Sequence, residues 1–286
     1  MRRLVARVTA GFLLLTVFGC SSRGSSSPAA GASATTTAPT TVRASSVKPG
    51  DGYVALGSSF ASGFGISVQS TGCGRSSRDY AQLIAQRYRL KLTDATCGGA
   101  VVGNVTNTPQ GKNPPQMTAI SPETKLITVT VGGNDIGYIA TAFTCGDPTN
   151  VCTEPPNLRL TLSATEDALE RMFAKIKAAA PSATVILVTY PRVVGGKNCP
   201  ALSVTDAEAD LVRSMGEQLE QMFLTVVKNA DAVLVDPYAA AGDHTACAPA
   251  SQRWTAGHVA VDGFPYHPTA LGHREMANMI IEALGK

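Results

Sequence analysis

The stretch Tyr53-Val-Ala-Leu-Gly-Ser-Ser-Phe-Ala-Ser-Gly63 combines a short apolar run with a turn of small residues that contains two serines. Apolar residues bounded by glycines are typical of a buried strand, which we place at residues 53–56. Further strands are predicted at residues 126–131, 184–189 and 232–235, and amphipathic helices at residues 79–88, 162–179, 206–228 and 269–284. Strands that alternate with helices predict a three-layer α/β/α fold with a central parallel sheet.

The N-terminal segment, residues 1–20, has the composition of a secretory signal peptide. Arginines occur up to Arg7, and an apolar stretch over residues 8–18 follows them. This stretch is shorter than the roughly 20 residues that span a bilayer. Val17-Phe-Gly-Cys20 is similar to the cleavage box of bacterial lipoproteins, in which the cysteine becomes the lipidated N-terminus. We therefore expect an exported protein, either a cell-envelope lipoprotein attached to the membrane through Cys20 or a secreted one.

Residues 21–50 are rich in Ser, Thr, Ala and Pro. Such a segment buries too little apolar surface to offset the entropy of ordering, so we predict a disordered tether. Residues 51–286 are long enough for one α/β domain.

The net charge of the mature chain is close to zero. Three of the 24 basic residues lie in the leader, which leaves 21 against 21 acidic residues. This balance gives no electrostatic reason to expect nucleic acid as a partner. As a separate expectation, the protein is a monomer.

Six cysteines follow Cys20, and an even number in an exported chain favours disulfides over metal ligands. Many connectivities are open, and the order of the cysteines suggests pairs of neighbours. These pairs are Cys73–Cys97, Cys145–Cys152 and Cys199–Cys247. A metal site is not expected, because neither C-x-x-C nor His-x-x-x-His occurs.

Four polar motifs lie in turns or loops between the predicted elements. They contain Ser59 after the first predicted strand, Gly99 in the glycine turn Cys97-Gly-Gly-Ala100, which no predicted strand precedes, Asn134 in Gly132-Gly-Asn-Asp135 after the second predicted strand, and His267 before the last helix. Each motif alone is typical of a turn or a helix cap. Ligands of open parallel sheets bind beyond the carboxyl ends of the strands, so we expect the motifs to meet there.

Together these four motifs, in this order, resemble the blocks of the GDSL, or SGNH, hydrolase family, over residues 53–284. Cys73-Gly-Arg-Ser76 followed by Tyr80 is also similar to secreted actinobacterial lipases and esterases, which carry three sequential disulfides. The resemblance implies a flavodoxin-like hydrolase fold, no cofactor, Ser59 as nucleophile and His267 as general base. It also implies an oxyanion hole made by Ser59, Gly99 and Asn134.

Two positions depart from the family pattern. Ser58 replaces the aspartate that usually precedes the nucleophile, which makes Ser58 an alternative nucleophile. Phe264 occupies the usual position of the acid that orients the histidine, three residues before His267. We therefore favour a Ser-His dyad in which a main-chain carbonyl near Phe264 or Pro265 orients the imidazole. Asp262, five residues before the histidine, is the alternative, and would form a triad.

The sequence thus predicts an exported serine hydrolase that cleaves carboxylic esters, lipid or small acyl, through an acyl-enzyme. One alternative is a carbohydrate O-deacetylase of the same fold. Another is a non-catalytic envelope-binding lipoprotein, which the missing aspartates suggest. His273 is expected to pack on the last helix, His244 and His258 have no recognisable partner spacing, and residues 141–157 are expected to form a disulfide-closed loop at the rim of the site.

Overall fold

A computed structural model of the protein describes residues 47–70 and 72–285. The predicted signal peptide, Cys20 and most of the predicted tether lie outside the described residues. Five strands pair in parallel in the order β2-β1-β3-β4-β5. They are β1 (Gly52–Gly57), β2 (Lys91–Asp94), β3 (Thr124–Thr130), β4 (Thr184–Val188) and β5 (Val233–Val235). This is the doubly wound strand order of flavodoxin-like folds.

Eight α-helices connect and cover these strands within the described residues. They are α1 (Ser59–Ser62), α2 (Tyr80–Tyr88), α3 (Val102–Thr106), α4 (Tyr138–Gly146), α5 (Leu158–Ala179), α6 (Asp206–Asn229), α7 (Pro237–Ala240) and α8 (Ala270–Ala283). Short polar side chains cap several of them: the Asp79 carboxylate accepts from Gln82 N–H at α2, and Thr269 accepts from Gly272 N–H at α8. In this described part of the chain, none of the helices is long and apolar enough to cross a membrane.

Both faces of the sheet are buried, each against its own set of helices. Alternate residues of one strand point to opposite faces. Val54 and Leu56 of β1 join the core under α3 to α6, whereas Tyr53 and Ala55 join the core under α2 and α8. Burial on both faces is the usual condition of a parallel sheet. The predicted three-layer α/β/α fold is confirmed.

The strand order reverses direction at β1, because β2 lies on one side of it and β3 on the other. A crevice opens at the carboxyl ends of β1 and β3 at such a switch point, and ligands of open α/β sheets bind there. The turns that follow β1, β2 and β3 carry three of the four predicted motifs.

Some elements differ from their sequence-based prediction. Strand β2 was not predicted, because as an edge strand it alternates between exposed and half-buried residues and lacks an apolar run. The segment 141–157, predicted as one loop, begins inside α4, and the loop starts only after Gly146. Helix α5 begins four residues earlier than predicted, at Leu158, and its N-cap Asn157 directly follows the two prolines at 155 and 156.

Candidate active site

The turn after β1 presents Ser59 at the carboxyl edge of the sheet. Gly57 has φ +141, and a Cβ there would come within 2.3 Å of the Thr130 carbonyl oxygen, so only glycine fits this close strand pairing. Ser58 follows as the N-cap of α1, and Ser59 is its first helical residue. The N–H at this position has no acceptor inside the helix, so it remains available to an anion in the crevice.

His267 contacts Ser59 directly. The distance from His267 Nε2 to Ser59 Oγ is 2.8 Å, and His267 Nδ1 lies 2.8 Å from the carbonyl oxygen of Pro265. A carbonyl oxygen only accepts, so Nδ1 carries the imidazole proton and Nε2 presents its lone pair to the serine hydroxyl. This is the hydrogen-bonding pattern that a serine nucleophile requires of a general base and of the group that orients the base.

The two other groups considered as partners of the imidazole are engaged elsewhere. The Asp262 carboxylate accepts from Ala270 N–H at 2.9 Å, at the start of α8. The Phe264 carbonyl accepts from the backbone N–H of His267 at 3.0 Å. Both are therefore hydrogen-bonded within the loop that carries the histidine, and the main-chain carbonyl next to His267 Nδ1 is that of Pro265.

Burial controls the protonation state of His267, which is only 5 % exposed. Loss of hydration disfavours the charged imidazolium and lowers the pKa of His267 to about 4, although the Pro265 carbonyl acts in the opposite direction. The imidazole is therefore neutral at neutral pH and able to accept a proton.

The predicted oxyanion donors lie on the next two turns. Gly99, after β2, is exposed with φ +79, and its N–H donates no hydrogen bond within the described part of the chain. Asn134, after β3, donates from Nδ2 to the Ala100 carbonyl at 2.9 Å. An amide nitrogen carries two hydrogens, so one remains for a ligand. The same hydrogen bond ties the turn of Asn134 to the turn of Gly99.

Ser58, the alternative nucleophile, faces the interior. It is 1 % exposed, and its Oγ lies 3.1 Å from the hydroxyl of Tyr190. The hydrogen bond of His267 Nε2 goes to Ser59 instead.

The other histidines have separate partners. His273 on α8 is fully buried, and its Nδ1 accepts from Tyr80 N–H at 3.2 Å. His244 donates from Nδ1 to the Gln252 carbonyl. His258 Nδ1 lies 3.0 Å from the hydroxyl of Tyr266.

Three disulfides pair cysteines that are neighbours in the chain, as the sequence suggested: Cys73–Cys97, Cys145–Cys152 and Cys199–Cys247. Two of them adjoin the site. Cys97 directly precedes the Gly98-Gly99 turn, and Gly98 N–H donates to the Cys73 carbonyl at 2.9 Å. Cys145–Cys152 closes the loop after α4. The described residues contain no cluster of three or more His, Cys, Asp or Glu suited to a metal ion.

An aromatic rim of three phenylalanines borders His267. The Phe264 ring lies 5.3 Å from the His267 ring and contacts Phe64 at 4.9 Å and Phe143 at 5.7 Å, measured between centroids. Beside it is a surface cavity of about 440 Å³. Its lining residues are Phe143, Thr144, Gly146, Asp147, Pro148, Asn150 and His258. Apolar rings beside His267 suit the acyl part or the alcohol part of an apolar ester.

Sequence reasoning missed two residues of this region. The side-chain amide of Gln116 brackets Gly57, accepting from its N–H at 2.7 Å and donating to its carbonyl at 2.9 Å. No local motif marks it. Tyr190 follows β4 as the other motifs follow their strands, and this position at the carboxyl edge was a usable signal.

Comparison with known proteins relates the chain to a family of lipases and acylhydrolases. Residues 55–275 match the model of a family described as the GDSL-like Lipase/Acylhydrolase family. Lipase 2 of Streptomyces coelicolor is 29 % identical over 255 residues, which cover 82 % of this chain and 85 % of that protein.

Two solved structures share the fold over nearly their whole length. Phospholipase A1 from Streptomyces albidoflavus NA297 is 25 % identical, with a TM-score of 0.66, and the match covers 82 % of this chain and 99 % of that one. An extracellular lipase from Streptomyces rimosus is 21 % identical, with a TM-score of 0.65 and the same coverage.

Proposed function

Because this chain belongs to the GDSL-like lipase/acylhydrolase family and is a carboxylic ester hydrolase, we propose that it is an exported esterase or lipase that works through Ser59 and His267. The observation that carries this proposal is the 2.8 Å contact between Ser59 Oγ and His267 Nε2. The Pro265 carbonyl holds the imidazole in the tautomer that a general base needs.

The first half-reaction forms an acyl-enzyme. Ser59 Oγ attacks the ester carbonyl carbon while its proton passes to His267 Nε2, and the Pro265 carbonyl stabilises the resulting imidazolium. The oxyanion of the tetrahedral intermediate accepts from the N–H groups of Ser59 and Gly99 and from the Asn134 amide. The bond to the alcohol oxygen then breaks, and His267 returns its proton to that oxygen as the alcohol leaves.

The second half-reaction releases the acid. A water molecule loses a proton to His267 Nε2 and attacks the acyl carbonyl, and the same three donors hold the second oxyanion. Collapse of this intermediate breaks the bond to Ser59 Oγ, which regains the proton, and the carboxylic acid departs. Each step uses only groups of the chain and water.

A fluorophosphonate probe tests this assignment, because it forms a covalent bond only with an activated serine. We expect labelling of the wild-type protein on the peptide that contains Ser59, and none in the Ser59→Ala and His267→Ala variants. His244→Ala, which removes an exposed histidine, is the matched control and should label normally. A folded wild-type protein that fails to label would support the non-catalytic binding module instead.

The substrate class requires an acyl-chain profile. Hydrolysis rates of p-nitrophenyl esters of increasing chain length separate a short-acyl esterase from a lipase. The aromatic rim next to His267 leads us to expect a preference for an apolar acyl chain over acetate. Acetate release from acetylated polysaccharide, without activity on longer acyl esters, would assign the carbohydrate O-deacetylase.

We further propose that the enzyme is a monomer held at the cell envelope by a lipid on Cys20. The similarity of Val17-Phe-Gly-Cys20 to a lipoprotein cleavage box supports this, and three disulfides suit an oxidising compartment outside the cytoplasm. Cell fractionation tests the anchor: the wild-type protein should partition with membranes, and a Cys20→Ala variant should not. Equal amounts of both in the medium would indicate plain secretion.

A further inference from the structure

Tyr190 contacts two turns of the candidate active site, that of Ser59 and that of Asn134, from behind the crevice. We propose that Tyr190 is a positioning residue that sets the nucleophile turn against the turn of Asn134 through its hydroxyl group. The inference rests on the proposed function, since it concerns the geometry of the same reaction. Tyr190 itself lies behind the reacting atoms and is 3 % exposed.

The hydroxyl group of Tyr190 makes one hydrogen bond to each turn. It accepts from the backbone N–H of Gly133 at 3.2 Å, immediately before Asn134. It also lies 3.1 Å from Ser58 Oγ, immediately before Ser59. A phenol has one hydrogen and two lone pairs, so both contacts can be made at once. The turn that carries the nucleophile and the turn that carries the amide donor therefore share one oxygen atom as a common partner.

The aromatic ring holds this oxygen in place. A Cβ added to Gly133 would come within 2.8 Å of Tyr190 Cε1, so the glycine lets the β3 turn lie against the ring. On the other side, the Tyr190 ring contacts Phe60 with centroids 4.3 Å apart, and Phe60 contacts His267 at 4.9 Å. The ring thus packs against Gly133, which precedes Asn134, and against Phe60, which follows Ser59 and itself contacts His267.

The hydroxyl proton of Tyr190 is retained throughout the range in which the enzyme is expected to work. Burial raises the pKa of Tyr190 to about 12. The pair of hydroxyl groups, Ser58 and Tyr190, consequently stays neutral and able to share one hydrogen between its oxygens. In this arrangement the Ser58 hydroxyl connects the nucleophile turn to the Tyr190 hydroxyl by a hydrogen bond. The serine that stands here in place of the usual aspartate therefore has a structural role.

The consequence for catalysis is a matter of distance. The oxyanion donors stabilise the transition state only where they meet the charge that forms on the substrate, and a displacement near 1 Å costs on the order of 10²-fold in rate. Loss of the shared hydroxyl lets the two turns shift relative to one another. The substrate is expected to bind against the aromatic rim, to which Tyr190 does not belong. Loss of the Tyr190 hydroxyl should therefore lower kcat and leave KM nearly unchanged.

The test compares two tyrosine-to-phenylalanine variants, Tyr190→Phe and Tyr53→Phe. Tyr53 is the matched control: it is fully buried, its hydroxyl lies 2.8 Å from Thr128 Oγ1, and it packs on the opposite face of the sheet. Both variants lose one buried hydroxyl and keep the ring. We expect both to lower Tm, whereas only Tyr190→Phe lowers kcat and the rate of fluorophosphonate labelling, by about 10- to 100-fold, with KM within about twofold.

A second variant covers the case in which Tyr190→Phe fails to fold. Ser58→Ala removes the other partner, and we expect a loss of kcat in the same direction. In the variant that combines Ser58→Ala with Tyr190→Phe, the loss of kcat should not exceed that of Tyr190→Phe alone, because both substitutions break the same hydrogen bond between residues 58 and 190. Normal kcat in Ser58→Ala, or equal kcat in the two tyrosine variants, would overturn the proposal. Absence of labelling at Ser59 in the wild type would instead overturn the proposed function.

Discussion

Replacing Asp262 by asparagine separates a Ser-His dyad from a triad. His267 Nδ1 donates to the Pro265 carbonyl at 2.8 Å, and the Asp262 carboxylate accepts from Ala270 N–H at the first residue of α8. Asparagine keeps a side-chain oxygen for this hydrogen bond and removes the negative charge. Such a charge at a helix N-terminus contributes about 0.3–1 kcal/mol when exposed, as Asp262 is. In a domain of this size that corresponds to a decrease in Tm of about 1–4 °C.

The expected effect of Asp262→Asn on catalysis is small. Since no charge of Asp262 acts on the imidazole, kcat/KM for a p-nitrophenyl ester should stay within about threefold of the wild type, far from the ~10⁴-fold loss that follows when a triad aspartate is changed. Asp206→Asn is the matched control, because Asp206 is also an exposed carboxylate in the first turn of a helix. A loss near 10⁴-fold in Asp262→Asn, with normal activity in Asp206→Asn, would refute the dyad.

Two more predictions concern the base and the oxyanion hole. Since burial lowers the pKa of His267 to about 4, kcat/KM should stay constant as the pH falls from 7 to about 5 and decrease only near pH 4. The unfolded pKa of histidine is about 6.5, so the contribution of neutral His267 to stability is complete above that pH and is lost as the pH falls towards 4. An acid limb of kcat/KM centred near pH 6.5, in the pH-rate profile, would contradict the buried neutral imidazole. Asn134→Ala should lower kcat by about 10²–10³-fold with a smaller change in KM. A steady-state measurement that finds only KM altered would remove Asn134 from the oxyanion hole.

Much of the fold could be predicted from the sequence because local residue patterns indicate individual strands and helices. The β-branched run that became β3 and the capped amphipathic repeats of α6 and α8 are signals that a few neighbouring residues supply. Strand β2 had no such signal, because its edge position leaves half of its residues exposed and polar residues are tolerated there. Its partner β1 holds it in the sheet by backbone hydrogen bonds, which depend little on the type of side chain.

The chain order of Ser59, Gly99, Asn134 and His267 could be read without a structure, and so could the strands that precede Ser59 and Asn134. Parallel strands bring their carboxyl ends to one edge, so a position in the chain translates into a position in space. The even number of cysteines likewise predicted disulfides, and the alternation of strands and helices along the chain predicted the fold.

Only the tertiary structure decided which groups surround these residues. His267 and Ser59 are 208 positions apart. The group that orients the imidazole depends on how residues 262–267 turn: the Pro265 carbonyl lies next to Nδ1, and the Asp262 carboxylate accepts from Ala270 N–H at the start of α8. No local motif marks Gln116, and the sequence signal for Tyr190 was only its position after β4, because their roles arise from contacts with turns 59 and 57 residues away. A sequence pattern specifies the backbone within an element, whereas hydrogen bonds between distant turns exist only after the sheet has brought those turns together.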